Sequence, residues 1–268
     1  MQSPHFWHMH LQRNSLNICD MGGPVVQELE NKLERVVSIR LKEWYLKNSG
    51  DKKFPWRTLQ DPYKILVAEM LLQRTRGENV GMLYDKFISK FPTPIYILRV
   101  DIRELEIYFK ELGLRYRAKR LYNIAELILR KYNGRVPCNF RELLTLPGVG
   151  VYIASAIMNF GCGKPTPVVD VNVMRVLNRM YGIERETLAR AKIWQLYKNA
   201  DPRIIGYSLI DLGREVCTLT PRCEKCPLKD ICPRKPISSQ WRMLRKIIKG
   251  DRIILKEQPV KNSKKLKY

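Results

Sequence analysis

The chain has 268 residues, enough for one large domain or two ordinary ones, and its 45% hydrophobic content excludes wholesale disorder. Its 49 Lys and Arg against 26 Asp and Glu give a net charge of +23. That excess points to a polyanionic partner, most simply nucleic acid, or else to a basic surface serving solubility or heat resistance. No apolar run reaches the ~18 residues of a membrane span. The start, MQSPHFWHMHLQRN, lacks the apolar core and cleavage pattern of a secretion signal, so an intracellular protein is expected.

All three histidines, His5, His8 and His10, fall in the first ten residues, and residues 1–24 read as an N-terminal extension. Proton chemistry in the rest of the chain must then use carboxylates, tyrosines, lysines or cysteines. Helical periodicity dominates from there on. VVQELENKLERVVSIRLKEWYLKN (25–48) has apolar residues at three- and four-residue spacing. DPYKILVAEMLLQRT (61–75) opens with Asp61 as N-cap and Pro62 at the first helical position. DIRELEIYFKEL (101–112) has Asp101 and Glu104 at capping-box spacing, with Gly113 as its stop. RAKRLYNIAELILRKYNG (117–134) is a further strong helix, and FRELLTL (140–146) a short one. Helices are also expected at 151–160, 171–181, 186–199 and 202–213, which makes the protein all-α. From Pro236 the chain turns basic with few caps and reads as a tail over 236–268.

Between the helices at 140–146 and 151–160, LPGVG forms a hairpin. Its glycines permit positive φ and close backbone approach, and the following helix begins with unpaired N–H groups suited to a phosphate oxygen. Many helix pairs join through such turns without binding anything. Beyond it GKPTPVVDVNVMRVLNR leads a Gly/Pro-rich loop into a helix with Asp170, twenty residues past the hairpin, at its start, where an Asp is by default an N-cap. Cys217, Cys223, Cys226 and Cys232 follow in CTLTPRCEKCPLKDIC as C-x5-C-x2-C-x5-C. Four thiolates this close point to a metal centre, and spacing alone leaves zinc and an iron–sulfur cluster both open. Cys19, Cys138 and Cys162 are isolated and read as ordinary thiols.

Hairpin, loop and Asp170 together resemble the helix-hairpin-helix DNA glycosylase superfamily, which includes endonuclease III and the adenine glycosylases. FPWR (54–57), DPYKILVAEMLLQRT and GLRYRAKRL (113–121) share the likeness, which covers roughly residues 25 to 235. It implies two helical lobes with a DNA-binding cleft between them. Residues 62–165 would form the hairpin lobe; 25–61 and 166–235 would form the other, carrying a [4Fe-4S] cluster on the four cysteines. The gap between Cys217 and Cys223 is one residue shorter than usual in the family.

The resemblance also implies roles. Double-stranded DNA with a mismatched or damaged base would lie across the cleft; nothing in the sequence suggests an obligate interface, so a monomer is expected. The DNA would be gripped at Leu146, Gly148, Val149 and Gly150 and by Arg117 and Lys119, with the target base flipped out. Asp170 would stabilise the positive charge that builds on the sugar. Tyr152 stands where the strand-cleaving members carry a lysine, and a phenol cannot form a Schiff base, so the strand should stay intact. Glu69, buried on an apolar helix face, would have a raised pKa and could donate a proton. It matches the adenine glycosylases' glutamate, but archaeal thymine-mismatch enzymes carry one here too. Gln73 would fill the gap left by the flipped base, and Arg74 could contact the widowed guanine.

Only 36 residues follow Cys232, too few for the separate domain with which adenine-specific members read 8-oxoguanine. The stretch from Gly134 to Arg179 looks most like the archaeal thymine-mismatch members, which pair Tyr with Asp at these positions. Removal of thymine or uracil opposite guanine is therefore expected. A truncated adenine glycosylase is the runner-up, and a non-catalytic, cluster-bearing DNA-binding protein is the reading from another class.

Overall fold

The computed structural model describes residues 24–48, 54–111 and 115–235. The expectations for the three histidines, Cys19, Gly113 and the basic tail lie outside them. Among the described residues every regular element is helical, so the expected all-α class is what is found. The α-helices are α1 (Pro24–Lys47), α2 (Pro62–Leu72), α3 (Gly77–Lys90), α4 (Pro94–Leu98), α5 (Ile102–Glu111), α6 (Tyr116–Tyr132), α7 (Phe140–Leu143), α8 (Val151–Ala156), α9 (Val171–Tyr181), α10 (Glu186–Tyr197) and α11 (Pro202–Asp211).

Two apolar cores organise them. The first gathers Ile65, Leu66 and Met70 of α2, Phe87 of α3, Phe109 of α5, Leu121 and Ile128 of α6 and Ile153 of α8. Every residue of α2 from Tyr63 to Leu71 except Lys64 is buried, which makes it the interior helix of this core. The second core joins Val37 and Leu41 of α1 to Val173 and Leu177 of α9, Ile193 of α10 and Leu209 of α11. Val168 belongs to the first core and Val169 to the second, so the chain crosses between them just before Asp170.

Buried Arg57 fastens the segment ahead of α2 to α11, pairing with Asp211 through bonds of 2.5 and 2.8 Å. Its guanidinium lies over Phe54 and Tyr207, 4.9 and 4.6 Å from their ring centroids. Removing one partner of so buried a pair would leave an uncompensated charge, worth about 3–5 kcal/mol.

The structure departs from the sequence reading in several places. Helices α3 and α4 fill a stretch for which no element was expected. α8 ends at Ala156 and continues as a π turn over Ile157–Gly161, and α11 likewise gives way to a π turn over Leu212–Val216. Cys138 and Cys162 are bonded to each other, with Cα atoms 5.8 Å apart. The reading of both as ordinary thiols is thereby corrected. They lie 24 residues apart in sequence, but α7, the hairpin and α8 return the chain to its starting point. Lys164 Nζ donates to Cys138 O at 2.7 Å beside the bond.

Candidate active site

Asp61 and Pro62 start α2 as expected, the Asp61 carboxylate accepting from the N–H groups of Tyr63 and Lys64 at 2.9 and 3.0 Å. Two turns on, the helix carries Glu69 into the interior, 7% exposed. Tyr152, half-buried, lies in the first turn of α8, two residues past the hairpin. Asp170 caps α9 from the segment that crosses between the cores. Its Oδ1 accepts from the N–H of Asn172 (2.9 Å) and Val173 (2.8 Å), and its Oδ2 from Asn172 Nδ2 (2.7 Å).

Three separate stretches thus place two carboxyls and a phenol close enough for their charges to act on one another. Burial lifts the Glu69 carboxyl to about 8, the Asp170 charge adding to the shift and Arg57 opposing it. Near neutral pH Glu69 is therefore mostly a proton-bearing acid. Tyr152 is held well above the usual phenol range, first by burial and then by the charges of Glu69 and Asp170. Burial raises Asp170 as well, while the N–H of Val173, the Asn172 side chain and N–H, and Arg175 pull the other way. One acid that keeps its proton beside one carboxylate held by donors is the arrangement that general acid chemistry next to a developing cation needs.

Asn172 and Arg175 were not singled out from the sequence. Arg175 Nη2 donates to Asn172 Oδ1 (2.7 Å) and Gly213 O (2.6 Å), and its Nε to Cys217 O (2.7 Å). The Asp170 carboxylate is thus joined through two side chains to the first of the four cysteines. Gly213, in the π turn, abuts this chain so closely that a Cβ there would lie 2.5 Å from Asn172 O. Asn172 and Arg175 sit on the turn behind the capping Asp, and that proximity was the available signal.

At the hairpin, Gly148 takes φ +76, a conformation that other residues rarely adopt. Gly148 and Gly150 are exposed, as an anion-holding turn requires. Leu146 and Val149 are not: their side chains are core residues, 2% and 5% exposed. Their N–H groups also close the turn internally, onto Leu143 O and Leu146 O, both at 3.1 Å. Their side chains thus shape the hairpin from within. Arg117, expected on the DNA-facing surface, lies inside. It is fully buried on the inner stripe of α6 with Ala118 and Leu121, and donates to Leu71 O and Thr75 Oγ1, both at 3.4 Å. There it supports the end of α2. Lys119, two residues on, is exposed. Gln73 is the C-cap of α2, and exposed Arg74 follows with φ 58.

The four cysteines are free thiols lining a single cavity of about 100 Å3 together with Arg179, Lys229 and Arg234. Arg179 holds the loop from α9, its Nη1 donating to Cys217 O and Sγ at 3.2 Å and its Nη2 to Leu219 O at 3.0 Å. Burial and the neighbouring sulfurs push the Cys226 thiol up to about 11. Among the described residues, no three His, Cys, Asp or Glu side chains are arranged to hold a single ion. No described helix is long and apolar enough to cross a membrane.

The family described as HhH-GPD superfamily base excision DNA repair protein matches residues 67–199, a span containing Glu69, Tyr152 and Asp170. A thymine-DNA glycosylase of Aeropyrum pernix is 37% identical over 204 residues, which are 72% of this chain and 91% of that protein. A thymine/uracil-DNA glycosylase of Methanothermobacter thermautotrophicus is 37% identical over 216 residues, 77% of this chain and 96% of its own length. The solved structure of a thermostable thymine-DNA glycosylase superposes with a TM-score of 0.69 at 34% identity, covering 76% of this chain and 96% of the other.

Proposed function

The chain belongs to the HhH-GPD superfamily of base excision DNA repair proteins and is a DNA glycosylase, and we propose that it removes thymine or uracil mispaired with guanine by hydrolysis. The observation that carries this reading is the grouping of Glu69, Tyr152 and Asp170 where the two cores meet, with a phenol in place of an amine. The names of the thymine and thymine/uracil relatives support the choice of base.

In this reading DNA binds across the junction of the cores. The exposed glycines of the hairpin receive a phosphate, and Lys119 adds charge. Gln73 enters the stack as the base leaves it, and Arg74 faces the widowed guanine. As the N-glycosidic bond stretches, positive charge grows on the sugar, and the Asp170 carboxylate stabilises it and orients a water toward C1′. Glu69, holding its proton near neutral pH, gives it to the departing base. Tyr152 lines the site but cannot attack C1′ to form a Schiff base, so an abasic site in an intact strand is the product. The reading takes the protein as a monomer acting inside the cell, where DNA lies.

Cys217, Cys223, Cys226 and Cys232 would hold a [4Fe-4S] cluster, for which a cavity ringed by four thiols and three cations suits an anionic group. When bound, it would supply a covalent brace for the loop that Arg175 joins to Asn172 and Asp170.

The test is a single-turnover assay on labelled duplexes bearing T·G, U·G, A·G and A·8-oxoguanine, each read with and without hot alkali. Alkali-dependent cleavage at T·G and U·G is expected. Cleavage confined to the adenine pairs would reassign the enzyme as an adenine glycosylase. Inactivity on all four, with DNA still bound, would leave a non-catalytic binding protein.

A further inference from the structure

Gln73 does not stand alone at the end of α2. Its Nε2 donates to Gly148 O at 3.4 Å, and its Oε1 accepts from Arg120 Nη1 at 3.3 Å. Arg120 comes from α6, which is anchored by Ala118, Leu121, Ile124 and Ala125 in the first core. The same arginine packs against the hairpin at Gly148. A Cβ on Gly148 would fall 2.4 Å from Arg120 Cδ, 2.8 Å from its Nε and 3.0 Å from its Nη1. The absence of a side chain at residue 148 therefore gives the arginine its seat as well as giving the turn its φ. One half-buried guanidinium joins the rigid helix, the hairpin and the glutamine amide.

We propose that Arg120 is a positioning residue for base extrusion: it couples the hairpin to Gln73 and holds the glutamine amide ready before the base leaves the stack. The inference rests on the reading of Gln73 as the residue that replaces the flipped base. A free glutamine samples many rotamers, and ordering it during extrusion slows that step. Bonds to a fixed carbonyl and a fixed guanidinium order it beforehand, as preorganisation requires. The arrangement also means that a phosphate seated at Gly148 meets the same arginine that aligns Gln73, so gripping the strand and filling the gap are linked through one side chain.

The experiment follows extrusion by stopped-flow fluorescence of 2-aminopurine placed beside the T of a T·G duplex. It uses Asp170→Asn protein, in which the base is extruded without being excised. Added to that background, Arg120→Ala slows the fluorescence rise by about tenfold at saturating protein. Arg120→Met, which keeps the stem over Gly148 but loses the donor to Gln73, slows it equally and serves if the alanine variant fails to fold. Arg120→Lys, able to donate to Oε1, stays within about threefold of the parent. Gln73→Ala is the reference. If it slows extrusion while Arg120→Met does not, the coupling is refuted and the role of Gln73 stands. If Gln73→Ala leaves extrusion unchanged, the reading of Gln73 is wrong and this inference falls with it. An Arg120→Met protein that binds every duplex more weakly, yet extrudes at the parental rate once saturated, would make Arg120 a phosphate contact only and overturn the proposal.

Discussion

Glu69→Gln exchanges a carboxyl for an amide of nearly the same shape on the buried α2, so packing is retained and only the titrating proton is removed. In the folded protein, burial and the Asp170 charge lift this carboxyl from 4.5 to about 8. The folded state therefore binds the proton more tightly than the unfolded chain does. Below about pH 4.5 both states are protonated and Glu69 adds no pH dependence. Between about 4.5 and about 8 the unfolded chain gives up its proton while the folded one keeps it, so wild-type stability falls as pH rises. At about 1.36 kcal/mol per pH unit, the full difference is on the order of 5 kcal/mol and is reached above about pH 8. Chemical unfolding of both proteins at about pH 5 and about pH 9 reads it directly. Glu69→Gln should gain on wild type by several kcal/mol at the higher pH. Wild-type excision under single-turnover conditions should also decline above about pH 8 as the acid loses its proton. A stability gap that stays flat across this range would refute the reasoning, because Glu69 would then ionise like any exposed carboxyl.

Three further outcomes follow from the same geometry. Cys138→Ser opens a bridge spanning 24 residues around the hairpin, and loop entropy puts the loss at about 3 kcal/mol; unfolding curves of wild type with and without reductant should show the same difference, and identical curves would contradict a formed bond. Tyr152→Lys places an amine beside Asp170, and borohydride should trap a covalent adduct with T·G duplex that wild type does not form. Asn172→Ala removes a 2.7 Å donor from Asp170 Oδ2, worth about 1.5–3 kcal/mol for a charged acceptor. Its excision rate should fall about tenfold or more while affinity for an abasic duplex holds; an unchanged rate would show that the bond does not position the carboxylate.

Much of this architecture is legible in the residues because it is local. Asp61 and Pro62 announce α2, and Asp170 caps α9 through side-chain bonds to N–H groups two and three residues on. The all-α class follows from periodicity for the same reason. What escapes the sequence depends on the return path of the chain. Cys138 and Cys162 look isolated because only the α7–hairpin–α8 turn brings them together. Arg117 looks like a surface cation in a basic run, yet the phase of α6 turns it inward and Lys119 outward. The inward positions of α3 were readable as Val80, Leu83, Tyr84 and Phe87, but Gly77 and Gly81 and an N-cap without a side-chain bond obscure its start. The π turns conceal the most: their added residues carry Gly213 against Asn172, a contact that no local pattern encodes.

The central claim, that Asp170 carries base removal in a site built for it, is tested most directly by Asp170→Asn. The amide keeps the shape of the α9 cap but cannot stabilise a cationic sugar. The measurement is single-turnover excision of T from a T·G duplex, made alongside binding of the same duplex and a thermal melt. Excision should fall by about a thousandfold or more, with binding and folding close to wild type. An Asp170→Asn protein that excises thymine at the wild-type rate would contradict the account and move the chemistry elsewhere in the molecule.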